Sequence, residues 1–147
     1  MKKLFILSIL LCATQFIFAQ TDANVVLGTW LTGNGNAKIE IYKKGGNFQG
    51  KIIWLSEPID PASGKAKTDT KHPNSSLHSR PLMGLVNIWG FTFNEKEGNW
   101  GNGHIYDPKT GKEYKCTITA KHKNTLNVRG FIGISLIGRT DIWTRAK

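Results

Sequence analysis

Apolar and polar residues alternate with a period of two along most of the chain after residue 27. In that part of the chain the longest stretch without glycine or proline, residues 112–129, has apolar side chains at Tyr114, Cys116, Ile118 and Ala120. Lysine and threonine fill the positions between them. A step of two is the repeat of a strand with one buried face, whereas a helix repeats about every 3.6 residues. The pattern therefore predicts β-structure where a helix has the most room.

The same alternation predicts eight strands, separated mostly by short polar turns. The strands cover residues 27–33, 36–43, 47–55, 85–94, 98–106, 112–120, 124–131 and 138–145. All 16 glycines of the 147-residue chain fall after residue 27, which leaves little room for long helices. Strands joined by short turns pair antiparallel, and closure of the sheet removes its exposed edges. The expected fold is all-β, a closed or nearly closed antiparallel up-and-down barrel of about eight strands.

Two connections differ from the polar turns. Residues 133–138 form a small apolar link, and residues 56–81 form a long one that holds four of the five prolines. Loops longer than about 12–15 residues without secondary structure are uncommon in compact domains and often act as lids or binding loops. The long loop is therefore a candidate rim or lid, and a surface excursion without a role is the alternative.

Large aromatic side chains lie in the predicted strands. There are five tryptophans, Trp30, Trp54, Trp89, Trp100 and Trp143. The interior of an eight-stranded barrel either fills with side chains or holds one small ligand. We expect Trp30 and Trp143 to close one end and the other three to lie nearer a pocket.

Polar side chains occupy alternating positions in the later strands. In the strand 98–106, strict alternation places Trp100, Asn102, His104 and Tyr106 on one face. Either that face lines the interior of the barrel or it faces solvent.

Two late arginines, Arg129 and Arg139, are candidate anchors for an acidic group. A charged group that faces the interior must be paired or must meet a polar ligand. A guanidinium holds a carboxylate or a phosphate with two parallel hydrogen bonds. If either arginine points inward, an anionic head group is its natural partner, and otherwise it faces solvent.

The first 19 residues, MKKLFILSILLCATQFIFA, have the pattern of a secretory signal peptide. Lys2 and Lys3 precede an apolar run from Leu4 to Phe18, and cleavage is expected after Ala19. The run is shorter than the roughly 20 residues that span a bilayer, so no membrane span is expected. The predicted organisation is a signal peptide, 1–19, and one barrel domain, 20–147, exported to the periplasm or secreted.

The chain is basic, with 20 lysines and arginines against 10 acidic residues. Stacked aromatics on a basic barrel are a means of binding single-stranded nucleic acid, but export argues against that partner. A soluble surface or an attraction to anionic envelope lipids fits better. Cleavage would leave Cys116 as the one cysteine, so no internal disulfide is expected.

No motif of a common enzyme, cofactor site or metal site is present. The sequence lacks a phosphate-binding loop, C-x-x-C, H-E-x-x-H and G-x-S-x-G. The histidines lack the spacing of a zinc site, and the loop acids lack that of a calcium loop. We assign no catalytic residue, metal or cofactor, and we expect a binding protein. An enzyme that uses Asp60, Asp69 or His72 of the long loop remains an alternative.

Many short segments together carry a resemblance to a bacterial exported family, the domain of unknown function numbered 2147. The resemblance runs from about Gly28 to Arg145 and implies a signal peptide followed by one β-barrel domain, with no activity attached. Its segments are Gly28-Thr29-Trp30, Ile39 to Tyr42, Gly50-Lys51-Ile52, Asp60, Gly64-Lys65, Asp69, Asn74, Arg80-Pro81-Leu82, Gly90-Phe91, Trp100, Gly103 to Pro108, Gly111-Lys112, Tyr114, Arg129-Gly130 and Gly138-Arg139-Thr140.

The Gly28-Thr29-Trp30 segment is also similar to the start of the first strand in lipocalins. Lipocalins place a late arginine over that tryptophan, a role open to Arg139 or Arg145 here, which would plug one end of the barrel. Unlike in lipocalins, we expect no C-terminal helix after the last predicted strand.

The function favoured by the sequence is binding of a small amphiphilic or anionic ligand by an exported barrel. A filled barrel that binds a protein partner in the envelope is the alternative. The candidate ligand-binding residues come from the strands, the long loop and the family resemblance. They are Trp54, Asp60, Asp69, Asn74, Arg80, Trp89, Trp100, Tyr106, Arg129 and Arg139.

The predicted signal peptide has a direct test. Expression of the full chain in a bacterial host should yield a periplasmic or secreted protein whose intact mass corresponds to a first residue of Gln20. A cell-associated protein that retains residues 1–19 would contradict the prediction. Replacement of Ala19 by a bulky residue should slow processing, whereas a conservative change in the barrel should not.

Overall fold

The computed structural model describes residues 21–134 and 136–147, so the predicted signal peptide lies outside the described residues. Eight strands match the predicted ones to within a few residues at each end. They are β1 (Gly28–Leu31), β2 (Ala37–Lys44), β3 (Asn47–Leu55), β4 (Val86–Asn94), β5 (Asn99–Asp107), β6 (Lys112–His122), β7 (Thr125–Phe131) and β8 (Gly138–Arg145).

The strands form one closed barrel in sequence order, and every neighbouring pair is antiparallel. Pairing of Trp30 with Arg145 and of Leu31 with Thr144 joins β1 to β8 and closes the cylinder. The predicted fold class is therefore confirmed. The only helical segments of the described residues are two short 3₁₀ helices, Ala23–Val26 and Ser75–Leu77. Neither they nor any other helix in 21–134 and 136–147 is long and apolar enough to cross a bilayer.

The short helix Ala23–Val26 covers the end of the barrel where β1 begins and β8 finishes. The indole nitrogen of Trp30 donates to the carbonyl of Val26 at 2.8 Å. The Arg145 guanidinium lies 4.2 Å from the centre of the Trp30 ring and donates to the carbonyls of Val25, Leu27 and Lys123. A cation on an indole face together with three carbonyl acceptors makes a firm plug at this end, called here the closed end. Arg145, rather than Arg139, fills this role.

Apolar side chains fill the interior of the barrel. Trp30, Trp100 and Trp143 are at most 2% exposed, and isoleucine, leucine, valine and phenylalanine from all parts of the sheet surround them. A methyl group added at Gly50 would lie 2.8–2.9 Å from Ile88 and Ile39 side chains. Side chains therefore fill the space that, in other barrels of this size, can hold one small ligand. Trp100, expected near a pocket, belongs to this core.

Irregularities in β4 and β5 change which side chains face outward. Gly90 and Asn102 have φ of +79° and +58°, and the pairing of β5 with β6 shifts by one residue between Trp100 and Gly103. Such a bulge reverses the alternation of faces beyond it. Trp100 therefore points into the core, while His104 and Tyr106 lie on the outer wall. The expectation that these residues share one face was wrong.

The long loop, which extends to residue 85, is ordered by its own backbone pairing. Isolated bridges join Ile59 to Ala66 and Thr68 to Pro81. The amide of Asp69 donates to the carbonyl of Arg80 at 2.9 Å. These contacts fold the loop back on itself, so Asp69 and Arg80 are held side by side although they are eleven residues apart.

The filled interior gives a stability prediction for Gly103→Ala. A methyl group at Gly103 would collide with the Phe91 ring inside the barrel. Overpacking of this kind costs about 1–3 kcal/mol. Gly46→Ala, in a turn where an added methyl group meets nothing within 4 Å, is the matched control and should change the free energy of unfolding little. Urea unfolding followed by tryptophan fluorescence measures both, and equal stabilities would argue for spare volume in the barrel.

Candidate functional site

The long loop packs against the outer wall of the barrel over β5 and the turn into β6. The carbonyl of Lys71 lies against Gly111, where even a Cβ atom would clash. The His72 and Tyr106 rings are 5.5 Å apart. The loop therefore covers Tyr106, which lies on the outer wall yet is only 7% exposed.

A buried carboxylate connects the loop to the wall. Asp69 has no exposed surface, and it accepts a 2.6 Å hydrogen bond from the Tyr106 hydroxyl and a 2.5 Å one from Nη2 of Arg80. A buried charge is tolerated when it is paired and its lone pairs are hydrogen-bonded. Asp69 therefore fixes the positions of Tyr106 and Arg80. The Arg80 guanidinium also lies 5.9 Å from the centre of the Tyr106 ring.

The Tyr106 hydroxyl is held in its protonated form. Loss of solvent is the main cause, and the hydrogen bond to Asp69 and the negative charge of that carboxylate add to it. Together these raise the pKa of Tyr106 from 10.0 to about 12. At neutral pH Tyr106 is thus a constant donor to Asp69.

A cavity of about 270 Å³ opens beside this network, and we call it the loop–wall cavity. Trp89 forms one side of it and stacks on His104 at 5.6 Å with ring planes 10° apart. Nδ1 of His104 lies 2.8 Å from Oε1 of Glu113, which holds the histidine in place. The cavity thus combines a flat aromatic wall with polar and charged groups. Its lining residues are His72, Arg80, Val86, Trp89, Tyr106 and Glu113.

Two buried polar atoms have no hydrogen-bond partner among the described residues. They are Nε of Arg80 and Oδ1 of Asn87. Asn87 follows Val86 in β4, and it precedes the pair formed by Ile88 and Ile105. A buried polar atom without a partner carries a free-energy cost, so each such atom needs an explanation. Because Arg80 lines the loop–wall cavity, its unpartnered Nε marks that cavity as a place that solvent or a ligand occupies.

The structure brings four of the predicted site residues together at this cavity, namely Asp69, Arg80, Trp89 and Tyr106. Sequence reasoning did not select Glu113, Val86 or Asn87, and it placed His104 only in an alternating strand face. Glu113 alternates with buried Cys116 along β6, and the bulge in β5 turns His104 outward. His72 was considered there only as a catalytic group.

Three other predicted residues lie away from the loop–wall cavity. Trp54 is exposed on β3 with Nζ of Lys38 5.3 Å from its ring. Asp60 accepts hydrogen bonds from the Ser63 hydroxyl and the Ala62 amide, and the Ser63 bond is the main reason that its pKa is lowered. The side chain of Asn74 caps the short helix Ser75–Leu77. Asp60 and Asn74 thus shape the loop.

Neither late arginine is buried in the barrel interior. Arg129 alternates with buried Val128 and donates to the Thr140 hydroxyl at 3.0 Å, on the outer wall. It lines a second concavity of about 320 Å³, which is otherwise built from threonine, asparagine and Glu97. Arg139 shares a strand face with Trp143 but is exposed at the open rim, opposite the closed end. Of the two alternatives left open by the sequence, exposure to solvent applies to Arg139, and Arg129 is half-buried against the outer wall.

Groups of three or more potential metal ligands are absent from residues 21–134 and 136–147. What the loop–wall cavity offers chemically is a guanidinium, an imidazole, a carboxylate and an indole face around a small volume. This set suits recognition of a small molecule with an acidic group and an apolar part.

Comparison with known proteins agrees with the barrel geometry. A solved structure, protein HP1028 from Helicobacter pylori, described as belonging to the lipocalin family, superimposes with a TM-score of 0.69. The two share 22% sequence identity, and the match covers 82% of each chain. The likeness is one of fold, so the chain is a lipocalin-like β-barrel. Among curated proteins, none matches the chain significantly.

A family model matches residues 28–145, which include the whole barrel. The chain belongs to that family, described as an uncharacterized protein conserved in bacteria, DUF2147. The resemblance read from the segments between Gly28 and Arg145 is therefore confirmed.

Tyr106 gives the site a testable pH dependence. Because the folded protein holds the phenol proton up to about pH 12 and an unfolded chain loses it near pH 10.0, the folded state binds more protons in that interval. The contribution of Tyr106 to the free energy of unfolding should be fully present below pH 10.0 and should decrease as the pH rises toward 12. In Tyr106→Phe this fall should be smaller.

Urea unfolding at a series of pH values measures the difference between the two proteins. Burial raises the pKa of the Cys116 thiol to about 12 as well, but that contribution is common to both proteins and cancels. Equal slopes for the two proteins would contradict the position of Tyr106 in the buried network.

Proposed function

We propose that this protein is exported and binds a small amphiphilic or anionic ligand in the loop–wall cavity, not inside the barrel. The observation that carries the proposal is the buried Asp69, which positions Arg80 and Tyr106 beside the cavity. A carboxylate that served only to attach the loop would not require Arg80 to keep 35% of its side chain exposed toward a polar concavity.

The chemistry of the lining supports a ligand with two unlike parts. Arg80 supplies a cation that Asp69 holds in one orientation, and a fixed guanidinium loses little freedom when it binds a carboxylate or phosphate. Trp89 and Val86 supply an apolar side, and the stack on His104 keeps the indole plane in place. An acidic group near Arg80 and a flat or aliphatic part against Trp89 would satisfy both.

The size of the cavity limits the ligand. About 270 Å³ is at the lower end of small-molecule sites, which are roughly 300–1,000 Å³. A single ring or a short chain with one acidic group fits such a volume, whereas a whole lipid does not. Movement of the long loop would enlarge it, because Asp69 and Arg80 are both on that loop.

A protein partner is the second candidate, and a specific observation favours it. Large apolar side chains are exposed around the long loop, and the interior of the barrel is filled. They are Ile53, Trp54, Ile59, Met83 and Val86. Crosslinking in intact cells that recovers one protein through this surface, with no bound small molecule, would favour an interaction module.

The ligand proposal is tested first by native mass spectrometry of the protein purified from its own compartment, where a co-purifying molecule of a few hundred daltons is expected. Titration with benzoate, indole-3-acetate and inorganic phosphate, followed by tryptophan fluorescence, then screens the ligand class. Trp89→Leu should weaken binding about tenfold or more by removing the aromatic wall. This change leaves the pair of Asp69 and Arg80 intact.

Arg80→Gln should weaken binding of an anionic ligand about tenfold or more, because one charge-assisted hydrogen bond contributes roughly 1.5–3 kcal/mol. Arg139→Gln is the matched control, since it removes the same charge from the open rim. Binding that is unaffected by both Trp89→Leu and Arg80→Gln would place the ligand elsewhere. Failure of every probe, together with purified protein free of small molecules, would refute the proposal.

A further inference from the structure

The connection between β7 and β8 exposes aliphatic side chains to an unusual degree. Ile132, Ile134, Leu136 and Ile137 are 67%, 59%, 84% and 68% exposed. Proteins that stay in water seldom expose several large apolar residues side by side, and such patches mark contact surfaces. These four residues, called here the apolar tip, need a partner that the described chain does not supply.

Several backbone groups of the apolar tip already have hydrogen-bond partners. The amide of Ile132 donates to the carbonyl of Ile137 at 3.3 Å, and the amide of Ile137 donates to the carbonyl of Ile134 at 3.1 Å. The Arg129 guanidinium donates to the carbonyl of Leu136 from below. Such hydrogen bonds lower the cost of placing a loop in an apolar medium, because water is not available there to bond the backbone groups.

Basic residues flank the apolar tip in the register of its strands. In the strand register, Arg139 lies opposite Gly130 just after the turn, and Lys115 lies opposite Phe131 just before it. The side chains of Arg139 and Lys115 are exposed. Lys112 begins β6, the neighbour of β7, at the same end of the barrel. The described residues carry 18 basic and 10 acidic side chains, because Lys2 and Lys3 of the 20 basic residues lie outside them. An aliphatic tip with a cationic surround is the pattern of an interfacial anchor on an anionic bilayer.

We propose that the apolar tip inserts into the surface of a membrane that contains anionic lipids, with Lys115 and Arg139 at the level of the headgroups. A second copy of the chain fits this end less well, because apposed tips would bring the same cations together. Protein interfaces are enriched in aromatic residues, methionine and arginine at their centre, and the tip holds only isoleucine and leucine. This inference does not depend on the loop–wall cavity.

The orientation on the membrane follows from the distribution of exposed apolar residues. Apart from Ile142, the large hydrophobic residues that are exposed among the described residues lie at the open rim or in the loops beside it. The closed end, with Arg145 and the turns after Lys44 and before Thr125, faces away. The bound protein would stand on its open rim.

The test uses the exported form of the chain, whose mass is measured first, and vesicles of phosphatidylcholine with or without phosphatidylglycerol. Co-sedimentation at low salt should show binding to the anionic vesicles and little binding to pure phosphatidylcholine. The double variant Ile134→Ser with Leu136→Ser should lose about tenfold or more in partitioning without a change of charge. Ile142→Ser, an exposed isoleucine on the barrel wall, is the matched control and should bind as the wild type does.

Charge is tested separately. Lys115→Gln with Arg139→Gln should reduce binding to anionic vesicles by roughly fivefold for each charge. Lys43→Gln with Lys44→Gln, at the closed end, removes the same charge far from the tip and should reduce it less. Equal effects of the two pairs would mean that attraction is general and that the tip does not orient the protein.

A probe on the tip reports insertion directly. Cys116 is 1% exposed, and burial raises its pKa to about 12, so a new surface cysteine can be labelled selectively. A fluorophore sensitive to polarity at Leu136→Cys should shift to the blue on anionic vesicles, whereas the same label at Lys44→Cys should not. An unchanged Leu136 label would overturn the proposal. So would a dimer without lipid that the serine variant dissociates, since the tip would then serve a second copy.

Discussion

Three buried tryptophans contribute to the filling of the barrel interior, and that filling limits where a binding site can form. Trp30, Trp100 and Trp143 are buried together with aliphatic residues from the surrounding strands. An eight-stranded cylinder has an interior only wide enough for side chains or one small ligand, and here side chains take it. A site that requires several polar groups in a fixed arrangement must then form on the outer wall. The long loop provides that arrangement by covering Tyr106 with Asp69.

The architecture was predictable from the sequence because closed antiparallel barrels follow from local signals. Glycines and polar turns limit each strand, and alternation of Cys116, Ile118 and their neighbours shows which face is buried. The outward position of Tyr106 was not predictable by counting. One residue with a positive φ, Asn102, reverses the alternation, and the signal of that bulge is the glycine on each side of it, Gly101 and Gly103, which a count of alternating positions does not use.

The site was predictable only as a set of residue types. Asp69 and Arg80 could be named as loop residues, yet their pairing depends on a bridge between Thr68 and Pro81 that brings distant parts of the loop together. Glu113 and Asn87 gave no signal, because an acidic residue at a turn and an amide at the start of a strand are ordinary surface residues in a sequence. Conversely Arg129, a strong candidate by type, bonds to its own wall and loop. The candidate site depends on how one loop folds over a regular cylinder.

The seam of the cylinder has a consequence for its dynamics. β1 and β8 share few paired residues, and Arg145 reinforces them by reaching carbonyls 118 and 120 positions away. Contacts so distant in the chain form late in folding, because a large loop must close before they are made. The same seam has the fewest paired residues of the eight strand pairs, which leaves Arg145 as its main additional support. Amide hydrogens at this seam should therefore exchange with solvent before those in β5 and β6. The pairing of β1 with β8 would open locally while the buried tryptophans stay packed.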